Sequence, residues 1–251
     1  MGNKELLELA IVAAIEGGNE IMDVYNGSFE VFIKEDNSPL TIADQRANMV
    51  IENKLHKTNI PVLSEEGKSI SYEERKIWER LWIVDPLDGT KEFVKRNGEF
   101  TVNIALIEEG IPVLGVIYVP VKEILYYASD EGAYKKTGTK VEKLPLKIKK
   151  KNYVAVGSRS HKSKETELFF KKLKEDHGEI DVVSMGSSLK ICLVAEGVAD
   201  IYPRFAPTME WDTAAGQAIV KYAGKKLIDH STKKEMVYNR EQLRNNWFVV
   251  S

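Results

Sequence analysis

Apolar residues recur at helical spacing near the start of the chain and predict an opening helix. Gly17 and Gly18 interrupt this pattern, and each costs a helix about 1 kcal/mol relative to alanine. Close packing against another helix would account for both glycines. Alternation over residues 29–34 then predicts a strand, and a turn over 35–39 leads into a second helix over about 43–57.

Strand patterns dominate the middle of the chain. Residues 81–84 form a short continuous apolar run, which is typical of a strand that is buried on both faces. Turn signals separate the segments that follow, and these predict a meander of adjacent antiparallel strands over 100–107, 113–119 and 124–128.

The second half alternates strands with helices, which implies a mixed or parallel sheet covered by helices. The predicted strands lie at 153–156, 180–185, 199–202, 226–228 and 247–250, and the predicted helices at 164–174, 188–196 and 212–223. We therefore expect an α/β fold, an α+β sandwich in which helix and sheet layers alternate. Two subdomains are expected, an N-terminal α+β subdomain over 1–140 with an antiparallel sheet and a C-terminal α/β subdomain over 141–251.

Composition and charge exclude several classes of protein. The chain has 36 basic and 38 acidic residues and a net charge of −2, whereas proteins that coat nucleic acid are normally basic. No apolar run approaches the roughly 20 residues of a transmembrane segment. Cys192 is the only cysteine, which excludes an intramolecular disulfide and a cysteine-based zinc site. We interpret it as a small buried apolar residue in a reducing cytoplasm. The first residues also lack the apolar core of a signal peptide, which agrees with a cytoplasmic location.

One segment departs from this charge balance. Residues 134–152 carry eight lysines and a single acid, Glu142. Such a run usually forms a solvated face or a linker, and that is the interpretation we favour. Two alternatives stay open: the lysines could steer an anionic substrate, or residues 143–151 could touch anionic lipid at the inner face of the cell membrane.

Acidic residues follow apolar segments at three places, and α/β proteins keep their sites at such strand ends. The clusters lie at 62–67, 82–90 and 210–216. Asp212 alone could simply cap a helix. Asp85 and Asp88 are harder to explain structurally, since two carboxylates about 4 Å apart repel by roughly 4 kcal/mol at an effective dielectric of about 20. Oxygen ligands of this kind favour Mg²⁺ or Mn²⁺, and the backbone at Gly89 offers a phosphate cradle, so phosphoryl chemistry is predicted.

The segment 87–90 also invites comparison with haloacid-dehalogenase-type phosphatases, which use a nucleophilic aspartate two residues before a second acid. Here that position is Pro86, and Asp85 lies one residue too early. A covalent aspartyl-phosphate mechanism is therefore not expected.

These acidic motifs, taken in order, resemble those of the lithium-sensitive, magnesium-dependent phosphatases of the inositol monophosphatase superfamily. The motifs are Asp85-Pro86-Leu87-Asp88-Gly89-Thr90, the upstream Glu65, and Trp211-Asp212 followed by Ala215-Gly216. Residues 82–119, which include Lys91-Glu92-Phe93, look like the CysQ-type 3′(2′),5′-bisphosphate nucleotidase branch. The resemblance covers essentially the whole chain and implies the layered fold of that superfamily.

The resemblance also implies roles for individual residues. Metal ligands would be Glu65, Asp85, the Leu87 carbonyl, Asp88 and Asp212, which would hold two or three Mg²⁺ ions that Mn²⁺ can replace. Asp44, Glu65 and Thr90 would position and activate the attacking water. Substrate contacts would come from the same region and from motifs of the second half, namely Glu65, Leu87, Asp88, Gly89, Thr90, Ser158, His161, Ser187, Lys190, Arg204 and Asp212.

The activity implied is Mg²⁺-dependent hydrolysis of the 3′-phosphate of adenosine 3′,5′-bisphosphate to AMP and phosphate by metal-activated water. An inositol monophosphatase or a fructose-1,6-bisphosphatase on the same scaffold is the nearest alternative. A catalytically silent metal- or nucleotide-binding protein is a more distant one. A small-molecule substrate, no nucleic acid and either a monomer or a homodimer are expected.

Overall fold

The computed structural model describes residues 1–33, 39–158 and 163–251 of the chain. The helices are α1 Asn3–Tyr25, α2 Ile42–Leu55, α3 Tyr72–Arg75, α4 Thr90–Val94, α5 Lys164–His177, α6 Leu189–Glu196 and α7 Glu210–Tyr222. The strands up to the middle of the chain are β1 Val31–Ile33, β2 Pro39–Thr41, β3 Val62–Ser64, β4 Arg80–Asp88, β5 Thr101–Glu108, β6 Ile111–Val119, β7 Ile124–Ser129, β8 Gly132–Thr137 and β9 Lys140–Lys143. The remaining strands are β10 Tyr153–Ser158, β11 Ile180–Met185, β12 Tyr202–Arg204, β13 Leu227–Asp229 and β14 Phe248–Val250.

A seven-stranded sheet in the order β3-β4-β5-β6-β7-β8-β9 forms the centre of the fold. The β3–β4 pair is parallel and the other pairs are antiparallel. Side chains of β4 alternate between two cores, with Leu81 and Ile83 on one face and Trp82 and Val84 on the other. The continuous apolar run therefore does mark a strand that is buried on both faces.

Helices cover both faces of this sheet. On one face, α1 and α2 pack against each other and against the sheet. A Cβ atom at Gly17 would lie 2.7 Å from Ile51 of α2, and one at Gly18 would lie 2.5 Å from the ring of Tyr118 on β6. Gly17 is thus explained by close packing against another helix, as the sequence indicated, whereas Gly18 packs against a strand of the sheet and not against a helix.

On the opposite face, α7 lies against β4, β5 and β6, with α6 beside it. The approach is close at Gly115 of β6, where a Cβ atom would lie 2.4 Å from the carbonyl oxygen of Ala215. The first turn of α7 carries Asp212, so this contact holds a predicted ligand near the end of β4.

The second half adds two more layers. β10 and β11 pair in parallel, and β12, β14 and β13 form a separate antiparallel sheet. Val154 and Val156 of β10 join the core shared with α6 and α7, whereas Ala155 packs with Leu173 of α5 in a small third core. The layers therefore alternate as helix, sheet, helix, sheet and helix, which confirms the expected fold class.

Some predicted segments shift or change type. The strand expected over 199–202 is wrong in its bounds, because β12 is Tyr202–Arg204. Ile201 is buried yet makes only an isolated bridge with Ala155 in the described part of the chain, so its apolar character reflects packing and not ladder pairing. The predicted turn over 35–39 lies almost wholly outside the described residues.

The lysine-rich segment is not a linker along its whole length. Its first part forms β8 and β9 at the edge of the central sheet, and most of its lysines are exposed. Lys135 and Lys150 form ion pairs with Glu196 and Asp200, respectively. The division into subdomains 1–140 and 141–251 stays a prediction. In the described ranges, none of the helices combines the length and the apolarity needed to span a membrane.

Candidate active site

Three elements of the fold bring acidic side chains to one point. Asp85 lies near the end of β4, Glu65 directly follows the neighbouring strand β3, and Asp212 lies in the first turn of α7. One carboxylate oxygen from each lies within 4.8 Å of those of the other two. The sequence spreads these residues over almost 150 positions, and the parallel β3–β4 pair and the packing of α7 bring them together.

Asp85 has an unusual environment among the described residues. Its side chain is buried; Oδ1 accepts a hydrogen bond from the Leu87 N–H at 3.0 Å, while the buried Oδ2 has no hydrogen-bond partner there. A buried carboxylate oxygen without a partner is costly unless a cation neutralises it. All donors in the group are oxygen atoms, so the site fits a hard divalent cation such as Mg²⁺.

The electrostatics of the acids agree with this interpretation. Burial raises the pKa of Asp85 well above its usual range, and the nearby charges of Glu65 and Asp88 raise it further. Burial and then the charge of Asp88 raise the pKa of Asp212 to about 8. Without a cation the folded protein therefore resists full ionisation of this cluster.

Asp88 lies at the end of β4, where the pairing with β5 is irregular between Asp85 and Asp88. Its Oδ2 accepts hydrogen bonds from the Ser188 N–H at 2.5 Å and from Asn103 Nδ2 at 3.4 Å. Burial raises the pKa of Asp88, against the opposing charge of Lys190.

Asp44 and Thr90 lie next to each other although they are 46 residues apart. Thr90 Oγ1 lies 3.2 Å from Asp44 Oδ1 and 3.3 Å from the Leu87 carbonyl oxygen. The other oxygen of Asp44 accepts two hydrogen bonds of 2.7 Å, from the N–H and the hydroxyl of Thr41. Asp44 is therefore part of the capping box of α2 and also contacts Thr90, while its role toward the attacking water stays a prediction.

Asp212 combines the same two features. It is not the N-cap of its helix, as its sequence context alone would permit, but lies three residues after Met209 and accepts a hydrogen bond of 2.7 Å from the Met209 N–H. At both helices, one carboxylate oxygen serves the helix terminus and leaves the other oxygen for the site.

A cavity of about 170 Å³ opens beside these acids and continues toward the second half of the chain. Asp88 and Asp212 line it together with Glu92, with three cations, Lys91, Lys190 and Arg204, and with uncharged residues. The cavity thus brings acids and cations together, an arrangement that suits a metal-assisted reaction on an anionic substrate.

Two of the cavity's cations, Lys190 and Arg204, lie close to each other near the turn that precedes α6. Ser187 has a left-handed backbone with φ of 44°, and the Lys190 ammonium donates to its carbonyl at 2.6 Å. Burial lowers the pKa of Lys190 to about 8. Arg204 donates to the Pro207 carbonyl at 3.1 Å, while its buried Nε has no hydrogen-bond partner in the described part of the structure.

The site thus brings together most of the residues that the sequence singled out. Two are exceptions: the side chain of Ser158 and the whole of His161 lie outside what is described. The sequence patterns did not identify Thr41, which contacts Asp44, or Asn103 and Ser188, which contact Asp88, as part of the site. The Thr41-x-x-Asp44 spacing is a capping-box signature, and Asn103 is a polar residue inside a buried strand, so both left a signal in the sequence.

Comparison with known proteins places this site in a family. The model of the inositol monophosphatase family matches residues 2–247. A relative from Salmonella typhimurium, a 3′(2′),5′-bisphosphate nucleotidase CysQ, is 46% identical over 98% of this chain and 99% of its own length. The corresponding Escherichia coli K12 protein is 45% identical over the same shares.

Solved structures agree with the sequence relatives. CysQ from Bacteroides thetaiotaomicron superposes with a TM-score of 0.93 at 50% identity, covering 99% of this chain and 97% of that one. An inositol monophosphatase of Thermotoga maritima superposes with a TM-score of 0.79 at 25% identity, covering 98% and 92%. The chain belongs to the inositol monophosphatase family, as the order of its acidic motifs indicated.

Proposed function

We propose that the protein is a Mg²⁺-dependent 3′(2′),5′-bisphosphate nucleotidase, which hydrolyses the 3′-phosphate of adenosine 3′,5′-bisphosphate to AMP and phosphate. The observation that carries this proposal is the cavity that is lined both by the candidate metal ligands Asp88 and Asp212 and by Lys91, Lys190 and Arg204. A substrate with two phosphates matches this lining, because bound metal would take one phosphate and the cations the other. The names of the CysQ relatives support the same activity.

In this proposal Glu65, Asp85, Asp88, Asp212 and the Leu87 carbonyl would hold the metal. Bound Mg²⁺, which Mn²⁺ could replace, would neutralise the phosphate oxygens and make the attacking water more acidic. Asp85 is one of three described acids whose oxygen atoms lie close enough to share a metal ion, and its buried Oδ2 has no hydrogen-bond partner among the described residues. Both observations support a metal bound by these acids.

Asp44 and Thr90 would position the attacking water. When Thr90 Oγ1 donates to Asp44 Oδ1, an oxygen lone pair of the same hydroxyl is left to accept a hydrogen from water. Asp44 keeps its orientation because Thr41 occupies its other oxygen twice. Glu65 lies next to the metal ligands and would complete the orientation of the water, and no phosphoenzyme is needed.

The cations that line the cavity would bind the second phosphate. Arg204 is one candidate, since its side chain lines the cavity. Ser187 from the turn before α6 and Lys190 from its first turn would contribute, and Gly89 would expose its backbone to the reacting phosphate. Ser158 and His161 stay predicted substrate contacts. A cytoplasmic location and a monomer or homodimer likewise stay predictions.

The test is phosphate release from adenosine 3′,5′-bisphosphate, inositol 1-phosphate and fructose 1,6-bisphosphate at equal concentrations, each with Mg²⁺, with Mg²⁺ and Li⁺, and with EDTA. We expect preference for the nucleotide, inhibition by Li⁺ and no release in EDTA. Preference for a polyol or sugar phosphate would favour the inositol monophosphatase or fructose-1,6-bisphosphatase alternative. Absence of release from every substrate would favour a silent binding protein.

A matched pair of variants separates the site from the surface. Asp88→Asn should abolish turnover while leaving the fold intact, because the amide cannot replace the charge that faces the metal. Asp176→Asn changes an exposed residue of α5 in the same way and should leave turnover unchanged. Full activity of Asp88→Asn would contradict the assigned role of this ligand.

A further inference from the structure

A buried cluster of polar side chains lies between Asp88 and the turn that precedes α6. It consists of Thr101 and Asn103 of β5 and Ser188 of the turn, which are 0%, 1% and 3% exposed. The two hydroxyl oxygens lie 2.8 Å apart, and each lies within 3.0 Å of Asn103 Oδ1. Nothing in the activity proposed above uses this cluster.

Asp88 determines which way the Asn103 amide points. A carboxylate only accepts hydrogen bonds, so the NH₂ group faces Asp88 Oδ2 at 3.4 Å and the amide oxygen faces the two hydroxyls, which donate to it. The Ser188 N–H donates to the same oxygen at 2.5 Å. Both hydrogen bonds to Asp88 from described residues therefore fall on Oδ2, and Oδ1 receives none of them.

Asp88 is thus held from two directions. Asn103 belongs to the central sheet, whereas Ser188 belongs to the turn that carries Ser187 and leads to Lys190. The Ser188 hydroxyl contacts Asn103, and its N–H contacts Asp88, so a shift of the turn would disturb both partners of the carboxylate. Asp88 and the turn that leads to Lys190 are therefore joined by these buried hydrogen bonds.

We propose that Asn103 is a positioning residue: it turns the Asp88 carboxylate so that Oδ1 is presented to a divalent cation, and through Ser188 it couples that orientation to the turn that faces the substrate's second phosphate. The coupling to substrate rests on the proposed function, whereas the effect on the cation does not. Loss of the amide leaves Asp88 held by the Ser188 N–H alone and leaves both hydroxyls without their common acceptor.

The first experiment measures cation binding without substrate. Metal-free wild-type protein and Asn103→Ala are titrated with MgCl₂ alone in a calorimeter. The hydrogen bond from Asn103 to Asp88 is long at 3.4 Å, so its loss should cost about as much as that of an ordinary hydrogen bond, and we expect the Kd for Mg²⁺ to rise by about five- to tenfold. Gln217→Ala is the matched control, since Gln217 is an equally buried amide that bonds the Met236 carbonyl and the Tyr238 hydroxyl. Its Kd should stay unchanged.

The second experiment uses turnover. In Asn103→Ala the Mg²⁺ concentration for half-maximal hydrolysis of adenosine 3′,5′-bisphosphate should rise, and saturating Mg²⁺ should restore kcat to within about twofold. A purely structural loss of folded protein would lower kcat at every Mg²⁺ concentration. An unchanged Kd for Mg²⁺, or a kcat deficit that Mg²⁺ does not repair, would overturn the inference.

A third measurement needs no variant and decides the question if Asn103→Ala fails to fold. In wild-type protein labelled with ¹⁵N-asparagine, the side-chain NH₂ signal of Asn103 should shift as MgCl₂ is added, with the midpoint of metal binding. An NH₂ signal that ignores Mg²⁺ would overturn the inference. If wild-type protein binds Mg²⁺ but hydrolyses no nucleotide, the proposed function fails, and the metal titrations still test the role of Asn103.

Discussion

The acidic cluster should destabilise the protein when no metal is bound, and Asp212→Asn tests this directly. The change keeps the shape of the side chain and an oxygen that can accept from the Met209 N–H, but it removes the charge. Two unit charges separated by 4.8 Å, the upper limit for the ligand atoms of this cluster, repel by about 3.5 kcal/mol at an effective dielectric of about 20. Partial protonation relieves some of this repulsion, so we expect the metal-free variant to gain about 2–4 kcal/mol in the free energy of unfolding at pH 8.

The gain should depend on pH in a defined direction. Because the pKa of Asp212 is about 8 in the folded protein and near 3.8 when unfolded, the folded state binds the extra proton between these values. Metal-free wild-type stability therefore falls as pH rises from about 4 to about 8. At pH 5 only about one pH unit of this fall has occurred, so Asp212→Asn should gain less there than at pH 8, about 1–2 kcal/mol.

Thermal unfolding in EDTA at pH 5 and pH 8 measures both effects. For a chain of this size, 1 kcal/mol corresponds to about 2–4 °C, so the variant should melt about 4–16 °C above wild type at pH 8. Saturating Mg²⁺ should stabilise wild type more than the variant and narrow the gap. A variant no more stable than wild type in EDTA at pH 8, or a gain that is equal at both pH values, would refute the reasoning.

Three further predictions concern the surroundings of the site. Thr41→Val removes a hydroxyl that donates to Asp44 Oδ2 at 2.7 Å, and steady-state kinetics should show kcat about tenfold lower with KM unchanged. Thr41→Ser keeps the hydroxyl and should keep wild-type kcat. An equal loss of kcat in both variants would show that the hydroxyl does not orient Asp44. Gly115→Ala forces a Cβ against the Ala215 carbonyl, so urea unfolding should show a loss of at least about 2 kcal/mol, and wild-type stability would disprove the close contact. Lys91→Thr removes a cation that lines the cavity and should lower kcat/KM about tenfold for adenosine 3′,5′-bisphosphate but not for inositol 1-phosphate; equal effects on both substrates would show that Lys91 does not recognise the second phosphate.

The sequence predicted the layers of the fold because buried strands and amphipathic helices leave regular patterns. The run at 81–84 identified β4, and its alternate side chains do enter two different cores. Bounds were less certain where burial arises from packing alone, as at Ile201, which is apolar but outside β12. The many lysines of 134–152 favoured a linker over the strands β8 and β9 that the segment forms in part. Lysines at the edge of a sheet do not prevent its strands from pairing.

The candidate ligands were recognisable because each acid follows an apolar segment, and the family resemblance supplied their roles. Their mutual distances were not predictable, because Glu65 and Asp212 meet only through sheet order and the packing of α7. The contacts of Asn103 were also hidden, since they join residues 85 positions apart and depend on the orientation of one amide. Long-range contacts of this kind leave no local pattern in a single sequence.

The most direct test of the central claim is the position at which the substrate is cleaved. Adenosine 3′,5′-bisphosphate is incubated with the protein and Mg²⁺, and the products are followed by ³¹P NMR against standards of 5′-AMP and 3′-AMP. The account predicts inorganic phosphate and 5′-AMP in equal amounts, with no 3′-AMP at any time. Accumulation of 3′-AMP, or an unchanged nucleotide under conditions in which inositol 1-phosphate is hydrolysed, would contradict it.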